Sequence, residues 1–350
     1  MGEKKLEIVE YYKYLSLLLD KKKAHKVKIL DKARKRMKAL CGLGLKEGIS
    51  ARAMLRGWQV LVRPILEYGA EIWGEGEWKE GENLQLDMGR RVLGVSKMTT
   101  KEVIQGELGL GKVSSRRIEL RLRFWGKIIN MKEKNRLVYK IYRQRREDFI
   151  RGKKKDKNNW CYWTWKFLKD IDLEHLWESE RFEPGQNFHN LVRKLIKKRD
   201  EDEWRENMRK RSKLRTYRKL KDRLVLEKYV LELEREQRRQ FTMLRGGTNK
   251  LRIETGRWEG EREEDRVCNV CLSEDVENEK HFLLACPMYV NERGEMYERI
   301  KEVCELEIEM NEDSKLQILI GIGWRNKEKE IRKIVLSYIK QALKIRKKFI

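Results

Sequence analysis

Proline occurs only at positions 64, 184 and 287 of this 350-residue chain. The proline ring fixes φ and removes a backbone N–H, so it is the strongest interrupter of a helix. A chain this poor in it can stay helical over long stretches. Lys, Glu, Leu and Arg, which all favour helices, are abundant, and the expected class is mostly α. Hydrophobic residues make up 40% of the chain, enough for real cores, and the length suits two or three domains.

Apolar spacing places the helices. Leu30, Ala33, Met37, Leu40 and Cys41 follow a 3.6-residue period, and Gly42 and Gly44 are expected to end that helix. Met54, Leu55, Trp58, Leu61, Val62 and Ile65 form a second face, which Pro64 should kink or divide. Shorter helices are expected over 82–93 and 99–108, separated by Gly94, and Ile118, Leu122, Trp125 and Ile129 mark a longer one. Residues 197–240 read as one or two long helices with a thin stripe at Leu214, Tyr217, Leu220 and Leu224. A last helix starts near 327, where Ile331, Ile334, Val335, Tyr338, Ile339 and Ala342 share a face and Lys329, Lys333, Lys340 and Lys344 lie elsewhere on its surface. The one β candidate is LEIVEYYKYLSLLL at 6–19, a strand or hairpin piece.

Charge narrows the partners. Lys plus Arg is 83 and Asp plus Glu is 57, a net of +26. So much positive charge repels itself unless a polyanion is near, and nucleic acid is the obvious one. An anionic membrane surface is the weaker alternative. No run of about 18 apolar residues is present, so no spanning helix is expected. The opening MGEKKLEIVEYYKYL lacks the apolar core of a signal peptide, which points to an intracellular protein of nucleus, cytoplasm or both. Residues 132–157 carry 12 Lys or Arg against 4 Asp or Glu and read as a basic hinge. The Lys/Arg runs at 145–157 and 193–199 fit solvated faces, targeting signals or RNA contacts equally well.

RVCNVCLSEDVENEKHFLLACP, residues 266–287, holds the sharpest chemical signal. Cys268 and Cys271 stand two apart, His281 follows after nine residues and Cys286 after four more. Three thiols and an imidazole make a closed tetrahedral shell, the donor set of a structural zinc ion. With four protein ligands no position remains for water, so the expected metal is structural and not catalytic. The bland alternative is buried free thiols beside a chance histidine. Residues 254–279 hold ten acids against three arginines, which reads as an acidic surface poorly suited to phosphate.

Other motifs are weaker. In WCYWTWKF, 160–167, Trp160, Trp163 and Phe167 share a helical face and favour core packing over base stacking. Trp58, Trp73 and Trp125 read as core in the same way, and Cys41, Cys161 and Cys304 read as core thiols. His25, His175 and His189 are scattered, and no nucleophile, base and acid fall into a catalytic pattern. RGGTNK lacks the Walker spacing but can form a turn with Arg245 and Lys250 as phosphate contacts.

Several stretches together resemble the region behind the polymerase domain of non-LTR (LINE-type) retrotransposon reverse transcriptases. YKYLSLLLD at 12–20, RPILEYGAEIWG at 63–74, RRVLGVSKMTT at 90–100 and ELGL at 107–110 are similar to the region after the palm. LRGGTNKLRIETGRW at 244–258, RVCNVC and HFLLACPMYVNER resemble the C-terminal Cys/His segment, in the family's order. The resemblance implies that 22–130 is a helical thumb contacting template and primer. It places Lys13 in a strand near the primer grip, with Ser16 where the family usually has Gly. It makes Cys268, Cys271, His281 and Cys286 the metal ligands, and Arg245, Arg252 and Arg257 the basic positions before them.

The same comparison implies an absence. The family's polymerase carboxylates, an adjacent aspartate pair after an aromatic-Ala pair, have no counterpart, since no Asp-Asp pair occurs. The expectation is therefore a chain that does not polymerise by itself. The expected segments are a thumb-like helical module (1–131), the hinge (132–157), a helical region (158–245), a zinc-stapled segment (246–305) and C-terminal helices (306–350). The expected partners are RNA or an RNA–DNA duplex, with target DNA as a further one, and no membrane. The competing readings are a piece of a complete RNA-directed DNA polymerase with a mis-called start, and a remnant or co-opted scaffold that binds proteins.

Overall fold

The computed structural model describes residues 11–14, 17–20, 24–47, 49–152, 159–182, 187–271, 273–303, 310–321 and 327–349, with side chains from 25 to 42 and from 49 onward. The described residues are mostly α, with eighteen α-helices and a single pair of short strands. They fall into two compact units, residues 1–88 with 111–201 and residues 89–110 with 202–350. No helix among them is long and apolar enough to cross a membrane.

In the first unit, Tyr11–Tyr14 and Leu17–Asp20 pair antiparallel, with Tyr11 opposite Asp20 and Tyr14 opposite Leu17. Residues 6–10, 15 and 16 of the expected β element lie outside the described residues. The helix Ala24–Glu47 buries Ile29, Leu30, Ala33, Met37, Leu40 and Cys41. It runs past Gly42 and Gly44 instead of stopping there. A glycine in a helix costs only about 1 kcal/mol, which the apolar face before it outweighs. Pro64 does divide its helix. Ala51–Gly57 passes into a π-helical turn, Trp58–Val62, and the helix resumes at Arg63–Glu67 with the proline in its first turn. There the missing N–H is no loss.

The helix Val113–Ile129 organises the rest of this unit. Glu82 caps its start, accepting from the Val113 and Ser114 amides at 2.9 and 2.8 Å. Its inner face, with Ile118, Leu122 and Trp125, meets Tyr142 and Phe149 from Leu137–Ile150 and Cys161 and Phe167 from Trp160–Lys169. Trp160, Trp163 and Trp165 pack partly buried against this core, and Trp125 stacks on Trp177 at 5.9 Å. The aromatic run is core, as its periodicity suggested. Trp58 and Trp125 are fully buried, Trp73 is half-buried, and Cys41 and Cys161 are buried thiols. Cys304 lies outside the described residues. Arg117 and Arg121 also point inward. Arg117 lies between Trp73 and Trp78 at 5.6 and 5.3 Å, and Arg121 donates to the Ile72 carbonyl at 2.8 Å. Part of the positive charge is therefore interior.

The second unit corrects the picture of 197–240 as long helices. After Phe188–Arg209 the chain breaks into a 3-10 turn, Ser212–Leu214, and short helices at Tyr217–Leu220, Lys228–Glu232 and Arg235–Arg245. Leu214, Tyr217 and Leu224 pack with Val103, Trp204 and Met208. On one straight helix Lys221 and Glu227, six residues apart, would face about 120° away from each other, so the break is what lets Lys221 bury against Glu227. Gly109 closes the helix Lys101–Leu108 with φ of +61°, beside the bridge between Leu108 and Leu226. A Cβ there would lie 2.5 Å from the Leu226 nitrogen, which explains the glycine. Three more helices, Val290–Val303, Glu312–Ile320 and Glu328–Arg346, end the described part of this unit.

Candidate metal centre

Two local structures bring the ligands together. The first is a small antiparallel turn closed by the bridge between Val267 and Val276. The Cys268 amide donates to the Asp275 carbonyl at 2.9 Å and the Glu277 amide to the Arg266 carbonyl at 3.0 Å. Cys268 follows the bridge directly and Cys271 lies in the turn beyond it. The second is a π-helical turn, His281–Ala285. Asn278 begins it, its side chain accepting from the His281 amide at 2.9 Å. The Cys286 amide returns to the His281 carbonyl at 2.7 Å. In a regular α-helix residues five apart point about 140° away from each other. The wider turn removes that divergence and sets His281 beside Cys286. Pro287 then stops the turn.

The four donor atoms of Cys268, Cys271, His281 and Cys286 lie within 4.8 Å of one another and can hold a metal ion. Cys271 Sγ is 3.4 Å from His281 Nε2. Cys268, Cys286 and His281 are buried and Cys271 is half-buried. The three cysteines form no disulfide. Crowding separates their acidities. Hydrogen bonds from Cys286 and then His281 outweigh burial and draw the pKa of the Cys268 thiol well below that of a free cysteine. Cys286 is pushed up because its proton serves that thiolate and because it is buried. One thiolate is thus already favoured, the form in which cysteine binds a metal.

Helices behind the ligands hold these turns. Arg346 donates to Glu277 from Nε at 2.9 Å and Nη2 at 2.6 Å, and the Arg252 amide donates to the same carboxylate at 2.7 Å. Burial raises the Glu277 pKa above its usual value despite Arg346. Arg293 donates to the Cys286 carbonyl at 2.8 Å, and the Tyr338 hydroxyl donates to the Phe282 carbonyl. Asp275 stands 3.8 Å from His281 Nδ1. These supporting residues were not visible in the sequence, where Glu277 read as one of an acidic surface. That surface needs correction: Glu254, Glu277 and Glu279 are buried, and Arg215 binds Glu254 at 3.3 Å and Glu279 at 3.1 Å.

The basic positions fare differently from one another. Lys13 lies in the strand Tyr11–Tyr14 opposite Leu18, and its side chain lies outside the described residues. Arg245, expected at a phosphate-binding face, is fully buried and binds Glu107 at 3.1 Å between the rings of Tyr229 and Phe241. Burial opposes its charge, but Glu107 and Glu227 hold its pKa above the usual value. It presents nothing to a polyanion. Arg252 binds Glu259 at 2.6 Å and also Glu261, and Arg257 binds Glu254. Lys250 is exposed. No family model, curated protein or solved structure matches this chain.

Proposed function

We propose that this chain is a nucleic-acid-binding C-terminal portion of a LINE-type reverse transcriptase, without the polymerase carboxylates and with a structural zinc ion at Cys268, Cys271, His281 and Cys286. The observation that carries the reading is a cationic helix. On Ala24–Glu47, the residues Lys28, Lys32, Arg34, Lys35, Arg36 and Lys38 are exposed, and Asp31 is the only exposed acid among residues 25–42. That is the polyanion-seeking surface expected of a thumb-like module in a chain of net charge +26. The motif order supports the family assignment. The partner is RNA or an RNA–DNA duplex, bound through its backbone with little sequence preference.

Zinc is supported by donor type and spacing. A tetrahedral ion with bonds of about 2.3 Å to sulfur and about 2.0 Å to nitrogen separates its ligand atoms by about 3.5–3.8 Å. A set already within 4.8 Å needs only a small contraction. The ion would hold the two turns together, and its affinity would add to folding free energy.

The test is binding of the chain to an RNA–DNA duplex at 50 and 200 mM salt. Contact with six or more phosphates predicts a loss of affinity of about 10³-fold or more. An affinity constant across that range refutes the proposal. Metal analysis of the purified chain, with and without Cys268→Ser and Cys286→Ser, tests the zinc separately.

A further inference from the structure

The helix Glu328–Arg346 has a second chemical face. Ile331, Ile334, Val335, Tyr338, Ile339 and Ala342 are buried on one side. On the other, Lys329, Lys333, Lys340 and Lys344, continued by Lys347 just past the helix end, are all exposed. At about 100° and 1.5 Å per residue these five fall within an arc of about 60° and span about 27 Å. Buried Leu336 divides the row into a pair and a triplet.

No carboxylate of the helix shares this arc. Glu328 and Glu330 sit in the first turn, where Glu328 binds Arg332 at 3.4 Å and Glu330 binds Lys327 at 3.8 Å. Among the described residues none of the five lysines has an ion-pair partner. Lysines four apart on a helix repel each other, and this row holds two such pairs, Lys329 with Lys333 and Lys340 with Lys344. An ordinary solvated face mixes its signs, as the helix Val290–Val303 does with Lys301 bound to Glu298 at 2.9 Å. A row of one sign, on a helix clamped from behind by Arg346 and Tyr338, has charge complementarity to a line of phosphates.

We infer that this lysine row is a second contact surface for the nucleic-acid backbone, separate from the helix Ala24–Glu47 and from the metal ligands. The inference rests on the nucleic-acid-binding reading above and assigns it a surface in the second unit.

The experiment compares two variants of the full chain that lose equal charge. One is K340Q/K344Q/K347Q. The other, K101Q/K210Q/K301Q, changes exposed lysines elsewhere in the same unit. Duplex affinity is measured from 50 to 200 mM salt. Each lost phosphate contact should flatten the slope of log affinity against log salt by about 0.9. The row variant should therefore flatten it by about 2–3, the control by less than about 1, and K340R/K344R/K347R should restore the wild-type slope. Equal slopes in the two glutamine variants, with a wild-type chain that binds, overturn the surface alone. A wild-type chain that does not bind overturns the proposed function and this surface together. If the row variant loses binding to phosphatidylserine vesicles while keeping its duplex slope, the surface serves a membrane and the inference is wrong.

Discussion

Replacing Arg346 by methionine should unfold the support behind the metal turns without touching a ligand. The side chain is 7% exposed and its partner Glu277 is 1% exposed. The substitution removes two of the three donors on that carboxylate and leaves the Arg252 amide. Breaking a buried ion pair from one side costs about 3–5 kcal/mol, because the remaining charge is stranded. For a unit of this size that is a fall in Tm of about 6–20 °C. The deficit should depend on pH. Burial already lifts the Glu277 pKa above its ordinary value, and Arg346 opposes that lift. A carboxyl group with a raised folded pKa holds its proton better in the folded state, so stability falls as pH rises through the window above the ordinary value. Removing Arg346 raises the folded pKa further and widens that window. The Arg346→Met deficit should therefore be largest at pH 8 and shrink at pH 5. Glu277→Leu in the same chain should recover part of it, since two apolar groups can replace a buried pair. The assay is calorimetric unfolding of the wild type, Arg346→Met and the double variant at both pH values, with chelator throughout so that metal release contributes nothing. A deficit below about 1 kcal/mol, or one that grows toward pH 5, refutes the reasoning.

Three further outcomes follow from the same packing arguments. Arg245→Met should cost about 3–5 kcal/mol by stranding Glu107, whereas Lys250→Gln should change stability by less than about 0.5 kcal/mol; urea unfolding separates them, and comparable losses would mean that Arg245 is not structurally committed. Cys268→Ser or His281→Ala should abolish stoichiometric metal content and lower the Tm of metal-loaded protein toward that of the chelated wild type, read by elemental analysis and calorimetry. Gly109→Ala should cost about 1–3 kcal/mol through its positive φ, and more through the approach of the Leu226 nitrogen; a neutral effect on urea unfolding would show that the turn relaxes freely.

Periodicity and proline scarcity were enough to read the mostly α class, the longer helix through Ile118, Leu122, Trp125 and Ile129, the last helix from near 327, the break at Pro64 and the core role of Trp125 and Trp160. These are local properties, because a side chain's face on a helix depends only on its spacing from neighbours. The grouping of Cys268, Cys271, His281 and Cys286 into a cluster that can hold a metal ion was legible for a similar reason: thiol and imidazole chemistry belongs to the residues themselves. What remained hidden depended on partners far away in the chain. Arg245 and Glu107 are 138 residues apart, and Arg346 and Glu277 are 69 apart. Sequence shows that an arginine is charged but not whether a carboxylate from elsewhere will neutralise it inside the protein. Only the tertiary structure turned Arg117, Arg121 and Arg245 inward, left the lysines of the C-terminal helix outside, and widened the turn at His281–Ala285 so that His281 and Cys286 meet. Burial is decided by the whole chain's competition for the interior, a choice that no single segment makes alone.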